Sequence, residues 1–332
     1  GRPAAGLSPG LRRRMTGYAA TFEDVLAAHD RIAGRVHRTP VLTCGTLDEL
    51  SGRSLFFKCE NMQRVGAFKF RGATNAVCSL DDEVASRGVC THSSGNHAQA
   101  LALAARQRDI PAWIVMPTSA PEVKRRAVEG YGATIVPCEP TLEARETTCA
   151  GVIEETGATL VHPYDDPRVI AGQGTAAREL IEEVGELDVV VAPVGGGGLM
   201  SGSCITTRAM LPAATLVGAE PAGADDAARS LAAGELIPQT GPDTICDGLL
   251  TSLGDLTWPI LRDHLQQIIT VDDSAVVEAM RLAWERMKII IEPSSATAIA
   301  AVLSDAFASV PGDRIGIILT GGNVDLARLP FE

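Results

Sequence analysis

From residue 54 onward, short β-branched runs alternate with segments of helical periodicity, and this alternation constrains the fold more than any other feature. The apolar runs predict eight strands, at Leu55–Cys59, Gly88–His92, Ala112–Met116, Ala133–Pro137, Thr159–His162, Val189–Val194, Thr215–Ala219 and Ile315–Leu319. Amphipathic helices are predicted between them, for example at His97–Arg108, Pro121–Tyr131, Leu142–Thr156 and Arg168–Val184. Continuous apolar strands separated by helices predict an α/β fold whose parallel sheet is covered on both faces.

No Pro- or Ser-rich linker interrupts this alternation, so the domains expected for 332 residues are not consecutive beads on a string. We predict a large domain from residues 15–87 and 164–332, with a smaller α/β domain, residues 88–163, inserted between its two parts. Residues 1–14 are rich in Arg, Pro and Gly and contain no acidic residue, as in a transit-peptide remnant or a leader. We predict a disordered tail there.

The charge balance argues against two classes of partner. With 29 Lys and Arg against 41 Asp and Glu, the net charge is −12, whereas nucleic acids and anionic membranes bind basic surfaces. No run approaches the roughly 18 apolar residues of a membrane span. The eight cysteines are scattered without a C-x-x-C pair, which is typical of reduced thiols rather than of a zinc site or a disulfide framework. We therefore expect a cytoplasmic protein, with organellar targeting by the N-terminal stretch as the alternative.

In an open α/β sheet, ligands bind at the carboxyl ends of the strands, where four segments of this sequence are polar or rich in glycine. The first follows the predicted strand VVVAPV and consists of Gly195, Gly196, Gly197, Gly198 and Leu199. Four consecutive glycines expose backbone N–H groups, and a following helix adds the positive end of its dipole, so this loop predicts a phosphate site. A tight turn, the alternative, needs only one or two glycines. The loop has neither a Walker A nor a G-x-G-x-x-G pattern, which disfavours nucleotide binding.

The second segment, GAFKFRG, places Lys69 between two phenylalanines. Apolar neighbours lower the pKa of an amine, as a nucleophilic or Schiff-base lysine requires, although a lysine that extends its amine into solvent is the simpler alternative. The third segment, THSSGNHAQA, turns from a strand into a helix and offers hydroxyl and N–H groups to a carboxylate. The fourth is LTGGN, residues 319–323. A phosphate site together with a Schiff-base lysine suggests pyridoxal phosphate (PLP) as the cofactor.

In order and spacing, these segments resemble those of the fold-type-II PLP enzymes of the serine/threonine dehydratase group, and most closely its serine racemases. The resemblance runs from Phe22 to Leu326 and includes HRTPVLT (37–43), VIAGQG (169–174) and WERMKIIIEP (284–293). It implies a tryptophan-synthase-β-like fold and a homodimer. It also implies that Lys69 binds PLP as a Schiff base and acts as the base on one face of the substrate.

The resemblance also assigns the other site residues. The cofactor ring, its 3′-oxygen, its pyridine nitrogen and its phosphate would be contacted in turn by Phe68, Asn96, Thr320 and the loop Gly195–Leu199. The substrate carboxylate would bind to the loop formed by Ser93, Ser94, Gly95, Asn96 and His97. Arg145 matches an arginine near the substrate, with a helix-surface ion pair as the alternative.

Ser94 distinguishes two activities in this resemblance. Threonine dehydratases commonly have alanine at this position, whereas racemases have serine, and racemisation needs an acid or base on each face of the substrate Cα. The same site can instead eliminate the β-hydroxyl of serine, which gives pyruvate and ammonia. We therefore expect a serine racemase with serine dehydratase activity. The alternatives are a threonine dehydratase or threo-3-hydroxyaspartate ammonia-lyase, and a PLP-binding protein without turnover.

The segment AEPAGADD, residues 219–226, matches the cation site of the racemases. By that resemblance Glu220 and Asp226 would supply carboxylates and Ala224 its carbonyl, an oxygen-only ligand set that suits Mg²⁺, Mn²⁺ or Ca²⁺. Acidic side chains on a solvated surface are the alternative. Two positions depart from the family: Tyr164 stands where mammalian-type racemases have asparagine, and Thr251 where a serine of the substrate loop is typical.

Overall fold

The computed structural model of this chain describes residues 17–120 and 122–331. Its strands, numbered β1 to β10, are Val41–Leu42, Ser54–Cys59, Val89–His92, Ala112–Pro117, Thr134–Cys138, Thr159–Leu160, Val189–Pro193, Thr215–Pro221, Gln267–Val271 and Arg314–Leu319. Its α-helices, numbered α1 to α13, are Phe22–Ile32, Gly45–Ser51, Lys69–Cys78, Asp82–Ser86, Asn96–Arg108, Glu122–Gly130, Leu142–Thr156, Pro167–Val184, Gly198–Met210, Asp226–Ala233, Trp258–His264, Asp273–Leu282 and Pro293–Leu303.

The strands form two sheets. The larger has the order β1-β2-β10-β7-β8-β9, and all its neighbouring strands are parallel except β1, which runs antiparallel to β2. The central strand β10 pairs on both sides, with Ile317 opposite Phe57 of β2 and Val191 of β7. The smaller sheet has the order β5-β4-β3-β6 and is entirely parallel. The predicted α/β architecture with parallel sheets is therefore confirmed.

Helices cover both faces of the six-stranded sheet. Along β7, Val189 and Val191 belong to the hydrophobic core on one face, beneath α12 and α13, whereas Val190 and Ala192 belong to the core on the other face, beneath α8 and α9. Successive side chains of a strand point to opposite faces, so a strand buried on both faces has a continuous apolar sequence. This explains why VVVA at β7 contains no polar position.

Each of the eight predicted strands is present, and β1 and β9 were not predicted. The predicted strand Thr159–His162 is shorter than expected because Nδ1 of His162 accepts a hydrogen bond from the backbone N–H of Asp165, at 2.9 Å, which turns the chain after β6. The smaller sheet lies within residues 88–163, while the division into domains stays a prediction. The predicted tail, residues 1–14, lies outside the described residues. Among the described helices, none is long and apolar enough to span a membrane.

A buried ion network anchors α3, the helix that begins at Lys69. Arg71 donates hydrogen bonds to both carboxylate oxygens of Glu60, at 2.7 and 2.8 Å, and to both of Glu179, at 2.8 Å each. Lys58 donates to the same Glu179 at 2.7 Å. All four side chains are buried, and their charges cancel. Because a buried charge is tolerated only when it is paired, this network fixes α3 against β2 and α8.

Candidate active site

Lys69 is the first residue of α3, and backbone hydrogen bonds join its segment to the end of β10. The N–H of Phe68 donates to the carbonyl of Thr320 at 2.9 Å, and Ala67 forms an isolated bridge with Gly321. The lysine Nζ donates to the carbonyl of Pro163 at 2.7 Å. The second, third and fourth predicted segments are therefore reached from one point, at the carboxyl ends of the strands.

The surroundings of Lys69 lower the pKa of its amine to about 8, mainly because burial disfavours the charged form, while the negative charge of Glu292 opposes this effect. The Nζ atom lies 5.2 Å from the centre of the Phe68 ring and 5.9 Å from that of Tyr164. A substantial fraction of the amine is thus neutral at physiological pH. A neutral amine is the form that can act as a nucleophile or a base.

The glycine loop lies between β7 and α9, and the helix begins at Gly198. A Cβ atom at Gly196 would lie 2.3 Å from the Tyr164 ring, and one at Gly198 would lie 2.9 Å from the Tyr164 Cβ. Gly197 adopts φ +87°, a conformation that side chains disfavour. The loop therefore requires glycine because it packs directly against Tyr164 and turns through a left-handed residue.

The amide N–H groups of the loop, residues 195–198, make no hydrogen bond to any residue that the structure describes. They precede a 13-residue helix whose N-terminal end carries partial positive charge. Unpaired N–H donors at such an end form a ready anion site. The loop fits the phosphate of PLP.

Thr320 provides a second independent indication of a ligand. Its side chain is only 4% exposed, and its hydroxyl has no hydrogen-bond partner among the described residues. An unpaired buried hydroxyl is costly, so a partner from outside the chain is the simplest explanation. A hydroxyl here fits the pyridine nitrogen of PLP, and with the free amides of the loop and the amine of Lys69 it makes the residues present suitable for that cofactor.

Asn96, at the start of α5, is held by residues from the other end of the chain. Its Nδ2 donates to both carboxylate oxygens of Glu292, at 3.0 and 3.2 Å, and its Oδ1 accepts from Nδ2 of Asn323 at 2.8 Å. The backbone N–H of Asn323 also donates to Glu292, at 3.1 Å. This contact orients the predicted 3′-oxygen ligand.

Glu292 is only 3% exposed and precedes α13. Burial raises the pKa of its carboxyl to about 7, and the charge of Asp247 adds to the rise. Sequence reasoning missed a role for this residue, although it lies in the segment WERMKIIIEP. Glutamate directly before proline at a helix start is too common a pattern to indicate a functional site.

The loop Ser93–His97 leads from β3 into α5. Nε2 of His97 lies 3.0 Å from the carbonyl of Val161, so this nitrogen carries the proton, and Nδ1 is a buried acceptor without a partner among the described residues. Burial, together with the positive charge of Lys69, lowers the pKa of His97 to about 3. The electrostatic effect places the loop beside Lys69. The hydroxyl of Ser94 makes no hydrogen bond within the described chain.

Arg145 lies on α7, and the helix-surface ion pair considered as its alternative is not present. No acidic side chain of the described residues lies within salt-bridge distance of it, and its buried Nε has no partner there. Its positive charge lowers the pKa of His92, the last residue of β3, so the guanidinium lies near the end of that strand. A half-buried, unpaired guanidinium near a strand end is able to bind an anionic group.

Glu220 and Asp226 are both fully buried, at the end of β8 and the start of α10. The carboxylate of Glu220 accepts from the N–H groups of Ala227 and Ala228, at 3.1 and 2.8 Å. Burial raises the pKa of Glu220 to about 8 and that of Asp226 to about 6. One oxygen of Asp226 has no partner among the described residues. Two adjacent buried acids without a salt bridge fit a cation, with the carbonyl of Ala224 as a further ligand.

Comparison with known proteins gives one family and several close relatives. The family model of pyridoxal-phosphate dependent enzymes matches residues 32–321. The chain is 53% identical to a beta-hydroxyaspartate dehydratase of Paracoccus denitrificans over 317 residues, which cover 95% of this chain and all of that protein. It is 51% identical to the serine racemase of Arabidopsis thaliana over 316 residues, 94% of this chain and 96% of the relative.

Solved structures agree with these relatives. The serine racemase of Dictyostelium discoideum superposes with a TM-score of 0.90 at 51% identity, covering 93% of this chain and all of that one. A bacterial-type threonine deaminase, from the organism abbreviated T.th., superposes with a TM-score of 0.87 at 42% identity, covering 92% of this chain and 99% of the other. The two solved relatives share one fold and differ in the reaction that their names give.

Proposed function

Because this chain belongs to the family of pyridoxal-phosphate dependent enzymes, we propose that it interconverts L- and D-serine and also eliminates water from serine to give pyruvate and ammonia. The observation that carries the proposal is the presence, in one site, of a lysine with a lowered pKa and of a free serine hydroxyl at Ser94. Identity of about half to serine racemases over more than 90% of both chains supports it.

When bound, PLP withdraws electrons from the substrate Cα and makes its proton acidic. The residues suited to hold it are Lys69, Phe68, Asn96, Thr320 and the loop Gly195–Leu199. Glu292 keeps Asn96 in place, and the unpaired amides of the glycine loop supply the anion site. The protein's part is therefore to fix the cofactor and to provide acids and bases around it.

Lys69 moves a proton on one face of the substrate, since its amine has a pKa of about 8 and is held by the carbonyl of Pro163. Ser94 donates a proton on the other face through a hydroxyl that has no partner in the described chain. The N–H groups and hydroxyl of Ser93, with those of Asn96 and His97, orient the substrate carboxylate. Racemisation requires both faces, whereas elimination of the β-hydroxyl requires only the first.

A second candidate function is dehydration of 3-hydroxyaspartate. The relative at 53% identity carries that name, and Arg145 offers an unpaired guanidinium near the end of β3. A second carboxylate on the substrate would pair with it. In this case elimination would give oxaloacetate and ammonia instead of pyruvate and ammonia.

The deciding experiment incubates the protein with PLP, Mg²⁺ and either L-serine or threo-3-hydroxyaspartate. D-serine is measured by chiral analysis, and pyruvate and oxaloacetate are assayed in the same samples. D-serine together with pyruvate supports the racemase. Oxaloacetate formed at least tenfold faster than any product of serine, without D-serine, supports the second candidate. A Lys69→Ala variant that still turned over either substrate would contradict both, and Lys288→Ala, an exposed lysine, is the matched control.

We also propose that Glu220, Ala224 and Asp226 bind Mg²⁺, Mn²⁺ or Ca²⁺. The two buried carboxylates and their raised pKa values support this, since a cation would remove the cost of ionising them. Among the described residues, no group of three or more His, Cys, Asp or Glu side chains is arranged for a metal. The site therefore depends on the backbone carbonyl as well as on the two acids.

We further propose a homodimer in the cytoplasm. Met62 and Ile290 are exposed apolar side chains close to each other, because Nδ2 of Asn61 donates to the carbonyl of Ile290 at 3.0 Å. Leu326 is also exposed, at 68%. Exposed apolar groups of this kind are typical of interfaces. All eight cysteines are free thiols, as expected in a reducing compartment. Light scattering of the purified protein tests the dimer.

A further inference from the structure

Two cysteine thiols touch each other away from the cofactor residues. The Sγ atoms of Cys90 and Cys149 lie 3.3 Å apart and share a hydrogen bond, although the residues are 59 positions apart in the sequence. Both side chains are buried, with exposures of 0% and 2%. Cys90 is in β3 and Cys149 is in α7, which packs on that strand. The contact therefore joins a strand to its covering helix.

The pair joins the two elements of the smaller sheet that carry the candidate substrate residues. Cys90 lies four residues before Ser94, at the strand end from which the substrate loop begins. Cys149 lies one helical turn after Arg145 on α7. Any change in the spacing of the two sulfurs is transmitted along short, regular elements to both Ser94 and Arg145.

The surroundings of the pair are apolar. The small core that contains it consists of Cys90, Val115, Cys138, Cys149 and Ala158. The hydrogen bond from Cys90 lowers the pKa of the Cys149 thiol, although burial opposes this effect. Cys149 is thus the better nucleophile of the two, and Cys90 is placed to react with it next. Cys138 belongs to the same core and is the competing partner.

We propose that Cys90 and Cys149 form a site of reversible oxidation, which a hydroperoxide converts from a dithiol into a disulfide. In the first step the Cys149 sulfur attacks the peroxide: an S–O bond forms, the O–O bond breaks, and water leaves, giving a sulfenic acid. In the second step the Cys90 sulfur attacks the Cys149 sulfur, the S–S bond forms, and the oxygen leaves as a second water. The two sulfurs together lose two electrons and two protons, and the peroxide is reduced to two waters.

Bond formation draws the two sulfurs together by about 1 Å. The helix α7 and the strand β3 must approach, so Arg145 and the loop with Ser94 move from the positions of the reduced protein. This consequence rests on the proposed function, because it assigns both residues to the substrate. We expect the KM for serine to rise at least threefold on oxidation, with kcat changed less than twofold, since Lys69 lies outside the linked elements.

The test treats the PLP-loaded enzyme with hydrogen peroxide, alkylates the remaining thiols, and maps the peptides by mass spectrometry without reduction. The expected product is a Cys90–Cys149 linked peptide that has lost two hydrogens and that dithiothreitol restores to the free thiols. In the variant Cys149→Ala, and in Cys90→Val, the same treatment leaves KM unchanged. The control Cys204→Ala removes a buried cysteine of the larger core and keeps the response.

A peptide map without the Cys90–Cys149 link, or with Cys138 linked instead, would overturn the proposal. An unchanged KM after complete linkage would overturn its functional part. The linkage is read by mass and does not depend on turnover, so a reduced enzyme that never converts serine would count against the proposed function alone.

Discussion

Glu292 accepts hydrogen bonds from Nδ2 of Asn96 through both of its carboxylate oxygens, at 3.0 and 3.2 Å. The two residues are 196 positions apart, and the contact joins the helix that follows β3 of the smaller sheet to the start of α13 beneath the larger one. Glu292 and Asn323 together use both the donor and the acceptor of the Asn96 amide. This asparagine therefore keeps one orientation when a ligand reaches it.

Glu292→Gln is expected to change how stability depends on pH. The pKa of Glu292 is about 7 in the folded protein and 4.5 when unperturbed, so between these values the folded state binds a proton that the unfolded chain has released. The free energy of unfolding then falls as pH rises, by up to about 3 kcal/mol in total. Glutamine does not ionise and lacks this loss.

Urea unfolding between pH 5 and pH 8 measures this effect. The stability of Glu292→Gln minus that of the unmodified protein is expected to increase with pH by about 2–3 kcal/mol and to level off near pH 8. The raised pKa values of Glu220 and Asp226 affect both proteins equally and cancel in the difference. Glu235→Gln, at an exposed position, is the control. A difference that does not vary with pH would show that Glu292 is not ionised in this window.

Ser94→Ala is expected to separate the two reactions. Loss of the proton donor on one face should slow D-serine formation by about 10²–10⁴-fold, whereas pyruvate formation should stay within about tenfold. Both products are measured from the same reaction with L-serine. Ser86→Ala, on an exposed face of α4, provides the control. Equal losses of both activities would mean that Ser94 only binds the substrate.

Mg²⁺ is expected to stabilise the protein through Glu220 and Asp226. At about one hundred times the dissociation constant, a bound ion adds about 2.7 kcal/mol to the free energy of unfolding. Because the pKa values of the two carboxyls are about 8 and about 6, both must lose protons to bind the ion, so the effect should grow as pH rises towards 8.

Thermal unfolding with MgCl₂, compared with NaCl at equal ionic strength, checks this cation prediction. The shift in Tm should disappear on chelation and in Glu220→Gln, while Glu235→Gln retains it. An equal shift in the Glu220 variant would place the ion elsewhere.

Arg71→Met is expected to cost about 3–5 kcal/mol of stability, because it leaves Glu60 and Glu179 buried with only Lys58 to balance them. Arg38→Met is the matched control. Arg38 pairs with Glu182 at 3.1 Å on the surface, and such pairs contribute less than about 1 kcal/mol. Denaturant unfolding of the two variants measures both values. Equal, small effects would show that the network adds little to the anchoring of α3.

Hydrophobic periodicity predicts the fold well because buried parallel strands have distinctive sequences. Val189–Pro193 and Ile315–Leu319 are apolar without interruption and flank helices of clear period, so their strands were identified within a residue or two. The strands that were missed lack this signature. The edge strand β1 has only two residues, and β9, QIITV, alternates polar and apolar residues at the other edge.

The site could be predicted only where its function leaves a local pattern. The glycines at 195–198 and the lysine between two phenylalanines carry such a pattern, and the resemblance to PLP enzymes that followed from them is confirmed by the family match. The hydrogen bonds of Asn96 with Glu292 and Asn323 depend on long-range packing, which no local motif encodes. The contact of Tyr164 with the glycine loop was likewise invisible, although the residue stood out as unusual for its family.

The buried network of Lys58, Glu60, Arg71 and Glu179 has a consequence for how related sequences diverge. Its members come from three separate segments of the chain, and each one makes the charge of another tolerable. A single replacement leaves a charge without a counterpart, so a lineage that loses one member must cross a less stable intermediate before it can lose the next. We expect these four positions to be inherited as a unit, retained together or exchanged together, even where the surface of the same helices has changed beyond recognition.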